Sequence, residues 1–149
     1  MAGGLTVYLV DTNVWLERLL GQEKSGIVGK FLDHVFSHDI YITDFALHSI
    51  GVILSRLKNK EAFLLFINDL FTIGSVSIIK LDPEDMPRVV KTMDEFNLDF
   101  DDAYQYVSAQ KNNFIIVTFD KDFDKTTLGR KSPEEILSLA TASDTDTDR

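Results

Sequence analysis

The sequence predicts a single α/β domain whose parallel sheet is covered by helices on both faces. Short apolar segments rich in β-branched residues alternate along the chain with longer segments whose apolar residues recur at helical spacing. The chain has 149 residues, which is enough for one domain with a sizeable core. It contains no internal repeat and no linker. We therefore expect one domain over residues 1–140, followed by a disordered acidic tail over residues 141–149.

The N-terminal half begins with a strand and is otherwise mostly helical. Continuous apolar segments predict buried strands at residues 5–10 and 40–42. Apolar residues recur every three or four positions in four other segments, which predicts helices over residues 14–20, 24–36, 44–57 and 61–72. Thr12 or Asn13 can cap the first of these helices, and Gly74 breaks the chain after the last.

The C-terminal half is predicted to contain two strands and three helices. The strands are expected at residues 76–81 and 114–118, and the helices over residues 83–96, over residues 101–111 and from residue 133 onward. Pro83 marks a helix start because Pro fits the first turn, and acidic residues on both sides favour the N-terminal end of the helix dipole. Ser132 and Glu135 have the spacing of a capping box.

Composition and charge exclude several classes of protein. Without Cys, the chain forms no disulfide, no thiolate zinc site and no cysteine nucleophile. No apolar run approaches the roughly 20 residues that cross a bilayer, and the N-terminus does not look like a secretion signal, so we expect a cytoplasmic protein without a membrane partner. The net charge of −9 argues against a broad basic surface for nucleic acid, although it allows a nucleic-acid substrate at one site.

Acidic residues lie where the predicted strands end. Asp11 follows the first strand, Asp120 follows the last, and Asp102 lies in the helix before the last strand. Because the carboxyl ends of parallel strands meet at one edge of a sheet, these side chains are expected to lie close together. Several carboxylates at one point favour a divalent cation, and Mg²⁺ and Mn²⁺ prefer oxygen ligands. The pattern predicts a metal site of the kind that hydrolyses phosphodiesters.

Each of these carboxylates also has a simpler interpretation. An Asp after a strand is often only a helix cap, and this applies to Asp11 and Asp102. Three such positions in one domain favour a shared site instead. Asp99 and Asp101 lie close to Asp102, but adjacent side chains on a helix diverge by about 100°, so these neighbours are not all expected to reach one ion.

Three segments of the chain resemble the ordered motifs of PIN domains. They are VDTNVW at residues 10–15, Asp102-Ala103 in a helix, and IVTFDKDF at residues 116–123. The resemblance covers about residues 7–139 and implies a five-stranded parallel sheet of order 3-2-1-4-5. It also implies a Mg²⁺ or Mn²⁺ site and hydrolysis of RNA. Because PIN domains include the VapC-type toxins of toxin–antitoxin pairs, it further implies an antitoxin as a protein partner.

The resemblance assigns roles to individual residues. Three Asp residues match the acidic positions that bind the metal and are therefore the implied catalytic residues: Asp11, Asp102 and Asp120. Asp122 matches a frequent additional acid at the metal. Thr118 matches a Thr or Ser that orients the site, and Asn13 matches a polar residue that supports the first Asp by hydrogen bonding.

The chain departs from the family pattern in the helix after the second strand. PIN domains usually carry a Glu there, and the aligned position is Ser49. A hydroxyl is a weak neutral ligand for a hard cation, so one negative charge is missing. Three outcomes remain open: the remaining Asp residues bind metal with water in the gap, another side chain fills the gap, or the site is catalytically silent. The side chains that can fill it are Asp44, Asp101, Asp122 and, less favourably because it offers nitrogen, His48.

The predicted helix over residues 61–72 is unusually aromatic for a small domain. It carries three Phe residues among Leu and Ile: Phe63, Phe66 and Phe71. These belong either to the core or to an apolar surface for a partner, namely an antitoxin or a second copy in a homodimer. Trp15 and Phe45 can stack on bases, but their helical spacing with other apolar residues favours a core or oligomer contact.

The favoured hypothesis is a metal-dependent endoribonuclease that hydrolyses RNA phosphodiesters as the toxin of a toxin–antitoxin pair. The alternative, which rests on Ser49, is a catalytically impaired PIN-fold protein that acts through RNA or protein binding. Stabilisation of the fold by metal would separate the two, because a ligand that binds only the native state raises its stability. A receiver-like phosphotransfer module also clusters Asp at strand ends, but the Lys that it needs on a late strand is not evident.

Overall fold

Four short parallel strands form the sheet. The computed structural model describes residues 6–147, with side chains through residue 140. The strands lie in the spatial order β3-β2-β1-β4, with bounds β1 Tyr8–Val10, β2 Ile40–Thr43, β3 Ser77–Ile79 and β4 Ile115–Val117. Tyr8 pairs with Ile40 on one side and with Ile115 on the other. Because every strand pair is parallel, the α/β fold class predicted from the sequence is confirmed.

The prediction of a fifth strand is wrong for the described residues. Its place beside β4 is taken by a single bridge at Lys131, whose N–H donates to the Ile116 carbonyl at 2.9 Å and whose carbonyl accepts from the Thr118 N–H at 3.0 Å. Alternate residues of a strand face the same neighbour, so the next residue to pair would be Pro133. Pro133 has no N–H to donate and begins a helix, and the ladder therefore ends after one residue.

Helices connect the strands and cover both faces of the sheet. Their bounds are α1 Thr12–Leu19, α2 Ser25–His34, α3 Asp44–Arg56, α4 Lys60–Ile67, α5 Met86–Phe96, α6 Phe100–Asn112 and α7 Pro133–Thr147. The segment predicted as one helix over 61–72 divides, because α4 continues as a π-helical segment over Asn68–Ile73. That segment ends at Gly74, where a Cβ would lie 2.8 Å from the Asp69 carbonyl oxygen. A glycine is therefore needed at this turn.

Helix α7 reaches into the segment for which the sequence predicts disorder. Its backbone is helical to Thr147, while side chains beyond residue 140 and residues 148 and 149 lie outside the described part of the chain. The disordered tail over residues 141–149 stays a prediction. None of the helices within residues 6–147 combines the length and the apolarity that crossing a bilayer requires.

The core lies on both sides of the sheet. Leu9 and Val10 are adjacent in β1 and fully buried, and they belong to different apolar clusters because successive strand residues point to opposite faces. Val10 packs in the cluster formed with α1 to α4, and Leu9 packs with α5 and α6, where Tyr106 is also buried. The rings of Trp15 and Phe66 meet edge to face at 5.4 Å inside the first cluster. Both are therefore core residues.

Candidate metal centre

The carboxyl ends of β1 and β4 and the start of α6 meet at one cleft. Asp11 directly follows β1, Asp102 lies in the first turn of α6, and Asp120 follows β4 within a short loop. All three side chains line a cleft of about 340 Å³, which we call the acidic cleft. Its polar wall also includes Asn13, Ser49, Asp101 and Gln105. The structure thus brings together the three carboxylates that the sequence analysis expected to lie close to one another.

Three carboxylates are close enough to share one cation. Asp102, Asp120 and Asp122 each offer an oxygen, and these oxygens lie within 4.8 Å of one another. Asp120 Oδ1 accepts a hydrogen bond from the Asp122 N–H at 2.9 Å, and this tight turn holds the two residues together. Carboxylate oxygens are the ligands that Mg²⁺ and Mn²⁺ prefer, so the donor set fits a hard divalent cation.

Asp11 lies beside this group of three, and its own oxygens are engaged by donors from the protein. The Thr12 N–H donates to Oδ1 at 2.7 Å, the Thr118 hydroxyl donates to Oδ2 at 2.8 Å, and the Asn13 side chain donates to Oδ2 at 3.3 Å. Burial raises the pKa of Asp11, and hydrogen bonds from Thr118 and Gln105 partly offset that rise. These donors keep a buried carboxylate in one orientation.

Thr118 connects the loop after β1 with the loop after β4. Its buried hydroxyl donates to Asp11 and accepts from the Asn13 side-chain amide at 2.9 Å and from the Asp120 N–H at 3.0 Å. Asn13 Oδ1 in turn accepts from the Phe119 N–H at 3.2 Å. One hydroxyl therefore fixes two of the acidic residues relative to each other.

Asp102 lies in an environment that disfavours its charged form. Burial, followed by the charges of Asp101, Asp120 and Asp11, raises its pKa to about 8. A neutral carboxyl next to charged carboxylates lowers their mutual repulsion, and a bound cation would lower it further. The cleft is therefore arranged so that a proton or a cation is favoured at this position.

The raised pKa makes the stability of the metal-free protein depend on pH. Asp102 ionises at 3.8 in its unperturbed state and at about 8 in the fold, so between these values the folded chain binds more protons than the unfolded chain. The free energy of unfolding should therefore fall as the pH rises through this window. Thermal unfolding in the presence of a chelator should show this fall in the wild type and a smaller fall in Asp102→Asn.

The matched control for this measurement is Asp94→Asn, which removes an exposed carboxylate from α5. It should keep the pH dependence of the wild type. Equal pH dependence in wild type and Asp102→Asn would contradict the assignment of the burial penalty to this side chain.

The neutral Ser49 lines the acidic cleft, as its sequence position predicts. Two acidic residues that the sequence offered as replacements lie at the same place. Asp101 lines the cleft, and Asp122 belongs to the group of three carboxylates. Asp101 and Asp122 thus add carboxylates near the position where the family pattern has a Glu and this chain has Ser49.

The two other side chains that the sequence offered as replacements for the missing Glu, Asp44 and His48, lie outside the acidic cleft. Asp44 accepts a hydrogen bond from the Tyr104 hydroxyl at 2.8 Å, which directs its carboxylate to a structural contact. His48 is exposed and lines a neighbouring apolar depression, together with Phe45 and Val52. Neither Asp44 nor His48 is among the described residues that line the acidic cleft.

Gln105 is a residue of the cleft that the sequence analysis did not identify. Its side chain is 3% exposed, lines the acidic cleft and forms a hydrogen bond with Asp11. Gln105 follows Asp102 by three positions in α6, and residues at this spacing share one face of a helix. That spacing is the only sequence signal that could have found it.

Comparison with known proteins places this sheet and its acidic cleft in a family. The family model described as PIN domain matches residues 8–128. The chain therefore belongs to the PIN domain family, which confirms the resemblance found in its motifs. No curated protein is similar enough in sequence to match the chain.

Several solved structures share the fold at low sequence identity. A toxin–antitoxin complex from Klebsiella pneumoniae is 17% identical with a TM-score of 0.69, and the match covers 85% of this chain and 97% of that chain. PAE2754 from Pyrobaculum aerophilum is 20% identical with a TM-score of 0.66, covering 92% and 96% of the two chains. VapC20 of Mycobacterium tuberculosis, a toxin that cleaves the sarcin–ricin loop, is 17% identical with a TM-score of 0.69, covering 81% and 95%.

Proposed function

We propose that the protein is a Mg²⁺- or Mn²⁺-dependent endoribonuclease. The observation that carries this proposal is the group formed by Asp102, Asp120 and Asp122, whose oxygens lie within 4.8 Å of one another at the acidic cleft that Asp102 and Asp120 line. Membership of the PIN domain family and the likeness to VapC20 in fold support it. A cleft open to solvent and lined by carboxylates suits a substrate that brings its own negative charge to a shared cation.

The residues of the cleft have distinct roles in this proposal. Asp102, Asp120 and Asp122 hold the cation, and Asp11 completes the acidic site from the end of β1. A bound Mg²⁺ or Mn²⁺ would supply activation of water and neutralisation of the phosphoryl oxygens. Thr118 orients Asp11 by hydrogen bonding, as described above. Asn13, which donates to both Asp11 and Thr118, and Asp101, on the cleft wall, support these residues.

Ser49 does not prevent function in this proposal. The position contributes a hydroxyl to the cleft wall, while Asp122 adds a carboxylate to the group of three. Because Mg²⁺ takes only one or two carboxylates directly and keeps several waters, it tolerates a neutral position in its surroundings.

Cleavage of a pooled RNA substrate tests the proposal directly. The purified protein should cut RNA when Mn²⁺ or Mg²⁺ is present and should stop when a chelator removes the cation, because the carboxylates alone supply no activated water. Gel analysis of end-labelled RNA measures the cleavage. Cutting that continues in chelator, or no cutting with either cation, would contradict a metal-dependent ribonuclease.

The neutral Ser49 favours a second candidate function, which is RNA or protein binding without efficient catalysis. If this candidate is correct, the protein binds RNA but leaves it uncleaved whether Mg²⁺ or Mn²⁺ is present. It also predicts that Mn²⁺ hardly raises the free energy of unfolding, because a cation that does not bind the native state cannot stabilise it.

We further propose a role as the toxin of a cytoplasmic toxin–antitoxin pair, with an antitoxin and a second copy of the chain as protein partners. Toxin–antitoxin complexes from Klebsiella pneumoniae and Rickettsia felis share the fold, which supports an antitoxin. An apolar groove of about 400 Å³ between α1, α2 and α4 gives such a partner a surface, and exposed Leu65 lies on its wall. The aromatic helix α4 thus contributes both to the core, through Phe66, and to this groove.

A further inference from the structure

Three aromatic rings pack together at the rim of the acidic cleft. Phe45 lies in the first turn of α3, and Phe100 and Tyr104 lie in the first two turns of α6. The centroid distances are 6.0 Å between Phe45 and Phe100, 5.7 Å between Phe45 and Tyr104, and 6.1 Å between Phe100 and Tyr104. The rings are tilted against one another and form one continuous aromatic surface, which we call the aromatic rim.

The aromatic rim has a rigid base. Tyr104 is buried, and its hydroxyl donates to Asp44 Oδ1 at 2.8 Å and accepts from the Leu81 N–H at 2.9 Å. The same Asp44 oxygen accepts from the Phe45 N–H at 2.8 Å, so the start of α3 and the start of α6 are joined through one carboxylate. The helix starts that carry the two outer rings are therefore held at a fixed position relative to each other.

The two outer rings are open to solvent and adjoin the carboxylates. Phe45 is 38% exposed and Phe100 is 39% exposed. Phe45 lines the acidic cleft itself, and Phe100 precedes Asp101, which also lines it. Apolar rings are exposed here at the place where the proposed phosphodiester chemistry occurs.

Charge at the cleft limits the ways in which a nucleic acid can bind. Among the described residues that line the acidic cleft and the adjacent apolar depression, there is no Lys and no Arg. The chain carries a net charge of −9. Basic side chains, which normally make the phosphate contacts that dominate affinity for nucleic acid, therefore line neither depression, and Lys121, which follows Asp120, lies outside both linings. Stacking of bases on aromatic rings provides affinity that does not depend on basic side chains.

We propose that Phe45 and Phe100 are a stacking site for unpaired RNA bases next to the scissile phosphodiester. This inference rests on the proposed ribonuclease function and names the side chains that would hold the bases of its RNA substrate. Bases inside a duplex are stacked on each other and do not present a free face, so only unpaired nucleotides can use the aromatic rim. The rings are sequence-tolerant, because every base has a face that stacks.

Binding of a short fluorescein-labelled oligoribonucleotide tests this inference. Fluorescence anisotropy is measured in Ca²⁺, with gel analysis showing that the RNA stays intact. Phe45→Leu and Phe100→Leu keep an apolar side chain but remove the ring, and each should weaken binding of the single strand about fivefold or more. The same RNA annealed to its complement should bind weakly to wild type and variants alike. Phe36→Leu is the matched control, because Phe36 is 71% exposed and, among the residues that the structure describes, its ring stacks on His38.

The salt dependence of binding gives a second readout. For the single strand, the slope of log K against log salt should be shallower than about −1.4, which is the value for two phosphate contacts. A steep slope would overturn the inference, since it would show that basic residues elsewhere carry the affinity.

The remaining outcomes distinguish failure of this inference from failure of the proposed function. Wild-type protein that cleaves RNA while both variants bind and cleave like wild type would overturn the stacking site alone. Wild-type protein that binds single strands through Phe45 and Phe100 without cleaving them would support the stacking site and contradict the nuclease. A wild-type protein that does not bind single strands would also overturn the stacking site. If the variants dissociate a dimer in analytical ultracentrifugation without changing the affinity for RNA, the aromatic rim is a contact between two copies of the chain and not a stacking site.

Discussion

Replacing Asp102 by Asn is expected to reduce metal-dependent RNA cleavage on the order of a hundredfold or more, because losing even a residue that only supports a metal ligand costs about 10- to 100-fold. The substitution keeps the size of the side chain but removes the charge at the centre of the group formed with Asp120 and Asp122. The fold should persist, because Asn relieves the burial penalty that raises the pKa of this carboxyl. Initial rates on end-labelled RNA with Mn²⁺ measure the effect.

Asp94→Asn again provides a control with the same change of charge, on the exposed surface of α5. It should cleave at the wild-type rate. If Asp102→Asn cleaves RNA at the wild-type rate, the chemistry does not take place in the acidic cleft. If the variant still cleaves RNA when a chelator is present, the activity comes from a contaminating ribonuclease.

Replacing Thr118 by Val is expected to destabilise the fold by about 1–3 kcal/mol, because it removes a buried hydroxyl together with the hydrogen bonds that this hydroxyl makes. Three interactions are lost at once: the donation to Asp11 and the acceptance from Asn13 and from the Asp120 N–H. Val has nearly the same shape as Thr but no hydroxyl, so the change tests the hydrogen bonds and not the packing. Denaturant unfolding measures the loss, and cleavage should fall with it because Asp11 loses one of the donors that orient it.

Thr118→Ser is the informative companion, since it keeps the hydroxyl and removes only a methyl group. It should retain most of the cleavage activity and lose less stability than Thr118→Val. If Ser and Val behaved alike, the packing of the methyl group would explain the effect, and the hydrogen-bond network around Thr118 would not.

The meeting of the strand-end carboxylates was predictable because it follows from a general property of parallel sheets. Asp11 and Asp120 come after apolar strands, and the carboxyl ends of such strands share one edge. The position of Asp102 followed from the start of a helix that faces the same edge. These inferences need only residue order and the directions of strands, both of which are visible in the sequence.

Details that depend on local three-dimensional geometry were not predictable in the same way. The first helix is capped by Asp11 and not by Thr12 or Asn13, because the Asp11 side chain accepts from the Thr12 N–H. Asp122 reaches the other carboxylates only because the chain turns tightly after Asp120. Gln105 carries no residue-type signal for a metal site, and its role depends on where α6 lies relative to β1.

The fifth strand illustrates a different limit. The family resemblance implied that a fifth strand lies beside β4. In the structure, pairing with β4 is limited to Lys131, because the chain turns into a helix at Pro133. The helix predicted over residues 61–72 likewise had the correct apolar pattern, but the pattern does not distinguish an α-helix from the π-helical segment Asn68–Ile73. Periodicity specifies which face is buried, and backbone hydrogen bonding specifies the exact element.

The shortness of the strand edges has a consequence for self-association. The outer strands β3 and β4 have three residues each, and β4 is already paired in part through Lys131. Long unpaired edges are templates on which copies of a protein add strand to strand and aggregate, and short edges flanked by charged residues resist this. The protein therefore exposes little backbone for edge-to-edge addition.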